Sequence, residues 1–223
     1  MRRIGGFCFV LASLVATPTV VHAQWCGGTA SFADGNLRAA VGTSSAPEWR
    51  SYGVALSVGR ARGVFASGGV SRGKYDHSDV TDLAFSGSVG YQVRLGARVQ
   101  LCPKLNASHT DMTYNFGRTH VDYGSNTMGI SSALGAAVWS SRRFALVPSA
   151  ELGYAVTSAH VQQATGGIEH EAQASRRSGA LSLSSGLIFG KVVTVSPFVS
   201  IPLGVRGVGN VYGGSIAISF GPR

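Results

Sequence analysis

The chain has little charge and, after its first two dozen residues, no long hydrophobic run. Only 13% of its 223 residues are Asp, Glu, Lys or Arg, whereas soluble domains average about 25%. The lack of an uninterrupted run of about 20 apolar residues beyond the amino-terminal segment argues against membrane-spanning helices. The hydrophobic residues, 44% of the chain, must therefore be arranged in some other way.

The amino terminus has the features of an export signal. Arg2 and Arg3 precede an apolar stretch, Phe7–Val15, and Val21-His22-Ala23 is a plausible cleavage site. We expect residues 1–23 to be a signal peptide. The alternative, a short membrane anchor, would need a longer apolar run.

Cysteine is scarce. Cys8 lies in the signal, so Cys26 and Cys102 remain as an even pair in an oxidising compartment, where a disulfide is the default expectation. No histidine or further cysteine lies at ligand spacing from them, so we predict neither a metal site nor a cofactor there.

The clearest pattern runs from Leu83 to Ala107. Large apolar residues such as Phe85 and Leu105 share one parity, Gly, Ala, Ser and a few polar residues take the other, and a tight turn falls at Gly96 and Ala97. A period of two places successive side chains on opposite faces of a strand. The segment therefore predicts a long β-hairpin.

The composition of the two faces indicates which one points outward. A soluble barrel would carry charged side chains on its outer face, whereas here small residues suit a narrow interior and a uniform apolar face suits lipid. We predict an all-β, closed antiparallel up-and-down transmembrane β-barrel of the bacterial outer membrane, surrounded by outer-membrane lipid. A soluble lipocalin-like periplasmic barrel, the alternative, requires Leu83, Phe85 and Tyr91 to be buried inside.

Alternation marks further strands along a barrel domain of residues 37–223, after a periplasmic lead-in of residues 24–36. The strands lie at about 37–43, 52–58, 64–72, 83–95, 99–107, 128–138, 144–156, 181–189, 193–205 and 212–220. They number ten, or eight if the weak early strands lie outside the wall. Tight turns alternate with longer polar connections, chiefly 109–126 and 158–177. Short periplasmic turns and long outer loops are typical of outer-membrane barrels, so both termini are expected in the periplasm.

Aromatic residues on the apolar parity suggest two interfacial girdles. Phe144, Phe189 and Phe220 lie near the expected periplasmic turns, and Tyr52, Tyr154 and Tyr212 lie near the opposite strand ends.

The other parity places Arg94, Lys104 and Glu151 toward the lumen. A charge in a narrow lumen needs a partner, so we expect Lys104 or Arg94 to pair with Glu151 across the interior and leave no open pore. A charged constriction in a small channel is the alternative, although barrels of this size are usually filled by side chains.

The strands at Gly87–Tyr91, Phe144–Val156 and Ile216–Phe220 resemble those of the broad superfamily of small bacterial outer-membrane β-barrel proteins, the opacity-type and related barrel domains. The resemblance implies that the barrel assembly machinery recognises the last strand through its terminal aromatic residue. This chain departs from the pattern by continuing through residues 221–223.

Some outer-membrane barrels are enzymes, and their active-site residues follow recognisable sequence patterns. Lipid A deacylases carry His and Ser two residues apart on one strand, and no His-x-Ser occurs here. Omptin proteases use acidic pairs and His-Asp pairs on tall loops. This chain is short for that group. The nearest patterns are His77 with Asp79, His109 with Asp111 and His120 with Asp122. Such spacing is common in polar loops, so we predict no catalytic residues. In Glu169-His170-Glu171, alternation separates the imidazole from the carboxylates, which is poor geometry for a metal.

The net charge of +9 does not indicate nucleic-acid binding, because no basic stripe is present and an exported barrel does not meet nucleic acid. Basic residues near strand ends are solvated or pair with lipid phosphates. We expect a structural or surface-interaction barrel whose connections face the outside and bind a ligand or a surface. A small channel or a lipid-modifying enzyme are the alternatives.

Overall fold

The computed structural model describes residues 37–60, 63–76, 80–96, 98–116, 119–141, 143–165, 168–190, 192–205 and 208–221. The expected signal peptide and lead-in, residues 1–36, lie outside the described residues. No helix in the described part of the chain is long and apolar enough to cross a membrane.

The described chain is built from antiparallel strands. They are β1 Leu37–Ala46, β2 Trp49–Gly59, β3 Gly63–Tyr75, β4 Thr81–Arg94, β5 Val99–Phe116, β6 Thr119–Ala136, β7 Trp139–Ser140, β8 Phe144–Thr165, β9 Ile168–Phe189, β10 Val193–Leu203 and β11 Val211–Phe220. Each long strand pairs with its neighbours in sequence, and β1 pairs with β11. Pairing of β6 with β8 completes the ring. The wall is therefore a closed up-and-down barrel of ten strands, as the sequence predicted, and the weak early strands belong to it.

The short strand β7 is not a separate strand of the wall. It continues β6 beyond a bulge. The pairing of Gly135 with Ser149 gives way to Trp139 with Leu146, so β6 and β7 carry one extra residue against β8. The sequence analysis ended this strand at residue 138, because a bulge interrupts the period of two that identifies a strand.

The apolar faces point outward. Leu105 is 64% exposed and Ile130 60% exposed, and Leu83, Phe85 and Tyr91 are likewise exposed. The alternating residues, mostly Gly, Ala, Ser and Thr, line the lumen. The lipocalin-like alternative, which required those three residues inside, is therefore wrong. Exposed apolar surface of this extent fits a lipid environment better than water.

Two long polar segments do not form the connections that we predicted. Most of 109–126 and 158–177 lies in paired strands, because β5–β6 and β8–β9 continue as hairpins to Phe116 and Thr165. Residues 73–75 and 81–82, also predicted in a connection, likewise belong to strands. The sequence analysis required apolar alternation, whereas in water a strand needs only paired backbone groups and suitable residues, such as Thr, Val and Tyr.

The two ends of the barrel therefore differ. We call the end that carries these two hairpins the tall rim, and the part of β5, β6, β8 and β9 beyond the apolar band the extension. The opposite end, where Leu37 pairs with Phe220, is the terminal rim.

Candidate functional site

Hydroxyl pairs join neighbouring strands around the inner wall. Ser67 and Ser88 lie 2.7 Å apart, Thr127 and Thr157 2.8 Å, and Ser149 and Ser184 2.6 Å, each pair directly opposed in register. Short hydroxyl side chains satisfy one another where a long side chain would not fit. Ser67, Ser88 and Thr127 line a cavity of about 370 Å³ at mid-lumen.

The lumen holds one ion pair among the described residues. Lys104 Nζ lies 2.6 Å from Glu151 Oε2, and both side chains are largely buried. Lys104 is on β5 and Glu151 on β8, so the pair bridges β6 along one side of the wall and does not cross the interior. Arg94, the other candidate partner, is exposed at the last residue of β4, near the terminal rim.

Inward side chains are buried around the terminal rim. Gln100 is 2% exposed and Val147 0% exposed. Others close to that rim are buried as well: Arg38, Gln92, Ala133, Ile188, Thr194 and Ser219. We call this set the lumen floor. Polar and apolar side chains together are therefore shielded from solvent at this end of the lumen.

Asp82 anchors the lumen near the tall rim. Its carboxylate accepts hydrogen bonds from Trp49 Nε1 at 2.8 Å and from the Gly73 backbone N–H at 2.8 Å. Asp82 is buried, and two donors offset the cost of burying its charge. Nothing in the sequence pattern singled out this residue, because its partners come from two other strands.

The outer face of β5 and β6 carries two imidazole–carboxylate pairs, the first of which lies opposite Phe85 and Leu83 of β4, at the upper edge of the apolar band. His109 contacts Asp111 at 2.9 Å and Asn126 at 2.8 Å, and His120 lies 3.1 Å from Asp122. The Asn126 hydrogen bond, followed by the charge of Asp111, raises the pKa of His109 above its ordinary value. All four ionisable side chains are exposed to solvent. His77 and Asp79, the third pair from the sequence, lie outside the described residues.

No group of three or more potential ligands among the described residues is placed to hold a metal ion. Strand alternation puts Glu171 on the outer face of β9 and His170 on the inner face, opposite Gln163. His160, on β8, lies over Gly124.

Cys102 is 0% exposed, close to the lumen floor. Its expected partner, Cys26, lies outside the described residues, so their disulfide stays a prediction.

The aromatic residues of the expected girdles project outward. Phe144 and Phe189 are directly opposed near the terminal rim, with ring centroids 5.5 Å apart in an edge-to-face contact. Phe220, Tyr52, Tyr154 and Tyr212 are exposed on the same outer surface. Their position relative to a bilayer stays a prediction.

Sequence reasoning missed the mouth of the barrel at the tall rim. A cavity of about 600 Å³ lies on the inner side of β8 and β9, between Tyr123 of β6 and Val205 and Val208 of the segment that follows β10. Arg176 lines it. The signal was the presence of apolar residues at every second position, Ala159 and Val161 on β8 and Ala172 and Ala174 on β9, within segments that we took for loops.

No family model and no curated protein matches the chain. Among solved structures, the translocator domain of the autotransporter NalP from Neisseria meningitidis is similar, with a TM-score of 0.53 and 11% identity over 84% of this chain and 88% of that one. The outer-membrane protease OmpT from Escherichia coli has a TM-score of 0.48 and 7% identity, over 83% and 94%. The amino-terminal barrel domain of OprF from Pseudomonas aeruginosa has 0.40 and 9%, over 82% and 95%. The likeness to the NalP translocator domain shows that the two chains share a β-barrel fold.

Proposed function

We propose that the protein is an integral outer-membrane β-barrel with a closed lumen that presents its tall rim to the outside for interaction with a ligand or surface. The observation that carries the proposal is the combination of a buried lumen floor with a four-stranded extension beyond the apolar band. A closed floor argues against bulk transport, and paired strands above the membrane supply a rigid face for binding.

The proposal includes the expected route to that membrane. Residues 1–23 act as the signal peptide, residues 24–36 remain in the periplasm, and the assembly machinery inserts the barrel from there. The narrower kinship with opacity-type barrels belongs to this proposal as well.

Basic residues near the tall rim support an orientation in which that rim faces the outside of the cell. Arg50 and Lys74 are directly opposed on the outer face of β2 and β3, with Arg72 two residues from Lys74. Like charges in opposed positions are unfavourable, and Asp76 neutralises only Arg50, at 3.4 Å. Phosphates of the outer leaflet would offset that repulsion if the tall rim faces outward.

An epitope tag tests the orientation. We expect a tag inserted between Thr165 and Ile168, at the tip of the β8–β9 hairpin, to bind antibody on intact cells. The matched tag between Arg60 and Gly63, at the terminal rim, should bind only after permeabilisation. The reverse labelling would overturn the orientation.

Planar-bilayer recording tests the closed lumen. We expect no steady conductance from the purified, heat-modifiable barrel. Defined single-channel steps would instead favour the channel alternative. Steps that change when Glu151→Gln removes the lumen carboxylate would place the conducting path beside the Lys104–Glu151 pair.

A further inference from the structure

The cavity at the tall rim is apolar although it lies beyond the lipid-facing band. Its walls include Ala159 and Val161 of β8 and Ala172 and Ala174 of β9, and Val208 lies at its edge. A concave apolar surface open to water is unfavourable when empty, and it is a common feature of ligand sites. Its volume of about 600 Å³ falls in the range of small-molecule sites.

Among the residues that the structure describes, one cation lines this cavity. Arg176 lies on the inner face of β9, opposite Thr157, and forms no ion pair or hydrogen bond within the described part of the chain. The described residues that line the cavity include no carboxylate. A guanidinium presents a planar fork of donors that matches an anionic head group. The cavity therefore combines an apolar chamber with one unmatched positive charge.

We propose that this cavity binds a single-chain amphiphile with an anionic head, of the class of a medium-chain fatty acid. The acyl chain packs against Val161, Ala172 and Val205, and the head group accepts hydrogen bonds from Arg176. The volume accommodates one acyl chain of this length. This proposal specifies the class of ligand that the tall rim binds. It rests on the proposed function, which takes the tall rim as the binding face.

Titration calorimetry on the full barrel in lipid nanodiscs tests the site, with protein-free nanodiscs as the blank for partitioning. The probes share one chain length: decanoate, decanol and decyltrimethylammonium. We expect decanoate to bind best and the cation worst. Because Arg176 is exposed, Arg176→Gln should weaken decanoate binding about two- to fivefold, the loss expected for a solvent-screened ion pair, and should leave decanol binding unchanged.

Arg177→Gln is the matched control, because Arg177 neighbours Arg176 but lies on the outer face, opposite Val156. It should leave decanoate binding unchanged. Ala174→Trp, which fills the cavity, should abolish binding of all three probes, with the mobility shift on boiling showing that the barrel is folded.

Three results would overturn the proposal: no heat above the blank, equal losses in Arg176→Gln and Arg177→Gln, or decanol and decanoate binding alike in the wild type. Binding is measured on purified barrels and orientation on intact cells. Failure of this site and failure of the proposed function can therefore be told apart.

Discussion

Lys104 on β5 and Glu151 on β8 form an ion pair that passes over β6 on the lumen face, with 2.6 Å between Nζ and Oε2. The pair is possible because the residues of β6 beneath it, Ser131 and Ala133, are small. It ties together two strands that share no backbone hydrogen bonds.

Breaking this pair should destabilise the barrel. Glu151→Gln leaves the Lys104 ammonium without its counterion in a largely buried position, and we expect a loss of about 2 kcal/mol in the free energy of unfolding. Lys104→Met with Glu151→Met should recover most of it, since no charge remains uncompensated. Guanidinium unfolding followed by the mobility of the folded barrel measures both. Arg94→Gln, at an exposed position, is the control, and a loss as large as that of Glu151→Gln would contradict the prediction.

Gly90 should tolerate no side chain. A Cβ there would collide with the Phe65 ring and lie 2.9 Å from Lys104 Cγ. We expect Gly90→Ala to cost about 1–3 kcal/mol through overpacking, read as a lower unfolding midpoint. Gly87→Ala, on the same strand, is the control, because its Cβ would meet only Ser67 O at an ordinary 3.7 Å. Equal midpoints for the two variants would contradict the close packing of Phe65.

The closed barrel, its ten strands and its outward apolar face followed from local pattern alone. The alternation of apolar with small residues around Leu105 and Ile130 indicates which face of the strand each side chain lies on. The scarcity of charge on the face of small residues indicates that the apolar face points outward. Neither inference needs to know which strand neighbours which.

Contacts between distant strands could not be predicted in this way. That Lys104 meets Glu151 over β6 depends on the register of two strand pairs, and the sequence analysis left Arg94 as an equal candidate. The extension was missed because its alternation is polar outside and only weakly apolar inside, as at Ala172 and Ala174. The mouth cavity and Arg176 were missed with it.

A charge on the outer surface should distinguish lipid from water. Leu105→Arg places a cation in the apolar band, and we expect a cost of about 2–4 kcal/mol at mid-bilayer depth. Thr113→Arg, on the same strand and face but in the extension beside Asp122, should cost little. Yield of folded, heat-modifiable protein in the outer membrane measures the difference. Equal yields would mean that Leu105 faces water.

The predicted disulfide between Cys26 and Cys102 determines how many free thiols the unreduced protein should carry. Denatured protein from the outer membrane should take up no maleimide until it is reduced, and Cys102→Ser should take up one equivalent without reduction. Two reactive thiols in the unreduced wild type would contradict the disulfide.

The outer face at the upper edge of the apolar band should respond to pH through His109. Both partners of this imidazole are acceptors, Asn126 Oδ1 on Nδ1 and Asp111 on Nε2, and only the imidazolium donates from both nitrogens. Its raised pKa in the folded state means that this stabilisation is fully present below the ordinary value of about 6.5 and is lost as pH rises through the folded value. NMR titration should give a midpoint above about 6.5, lowered most by Asn126→Ala, less by Asp111→Asn and not at all by Thr113→Ala, which removes a contact to Asp122 only. An unshifted wild-type midpoint would mean that these hydrogen bonds do not persist in solution.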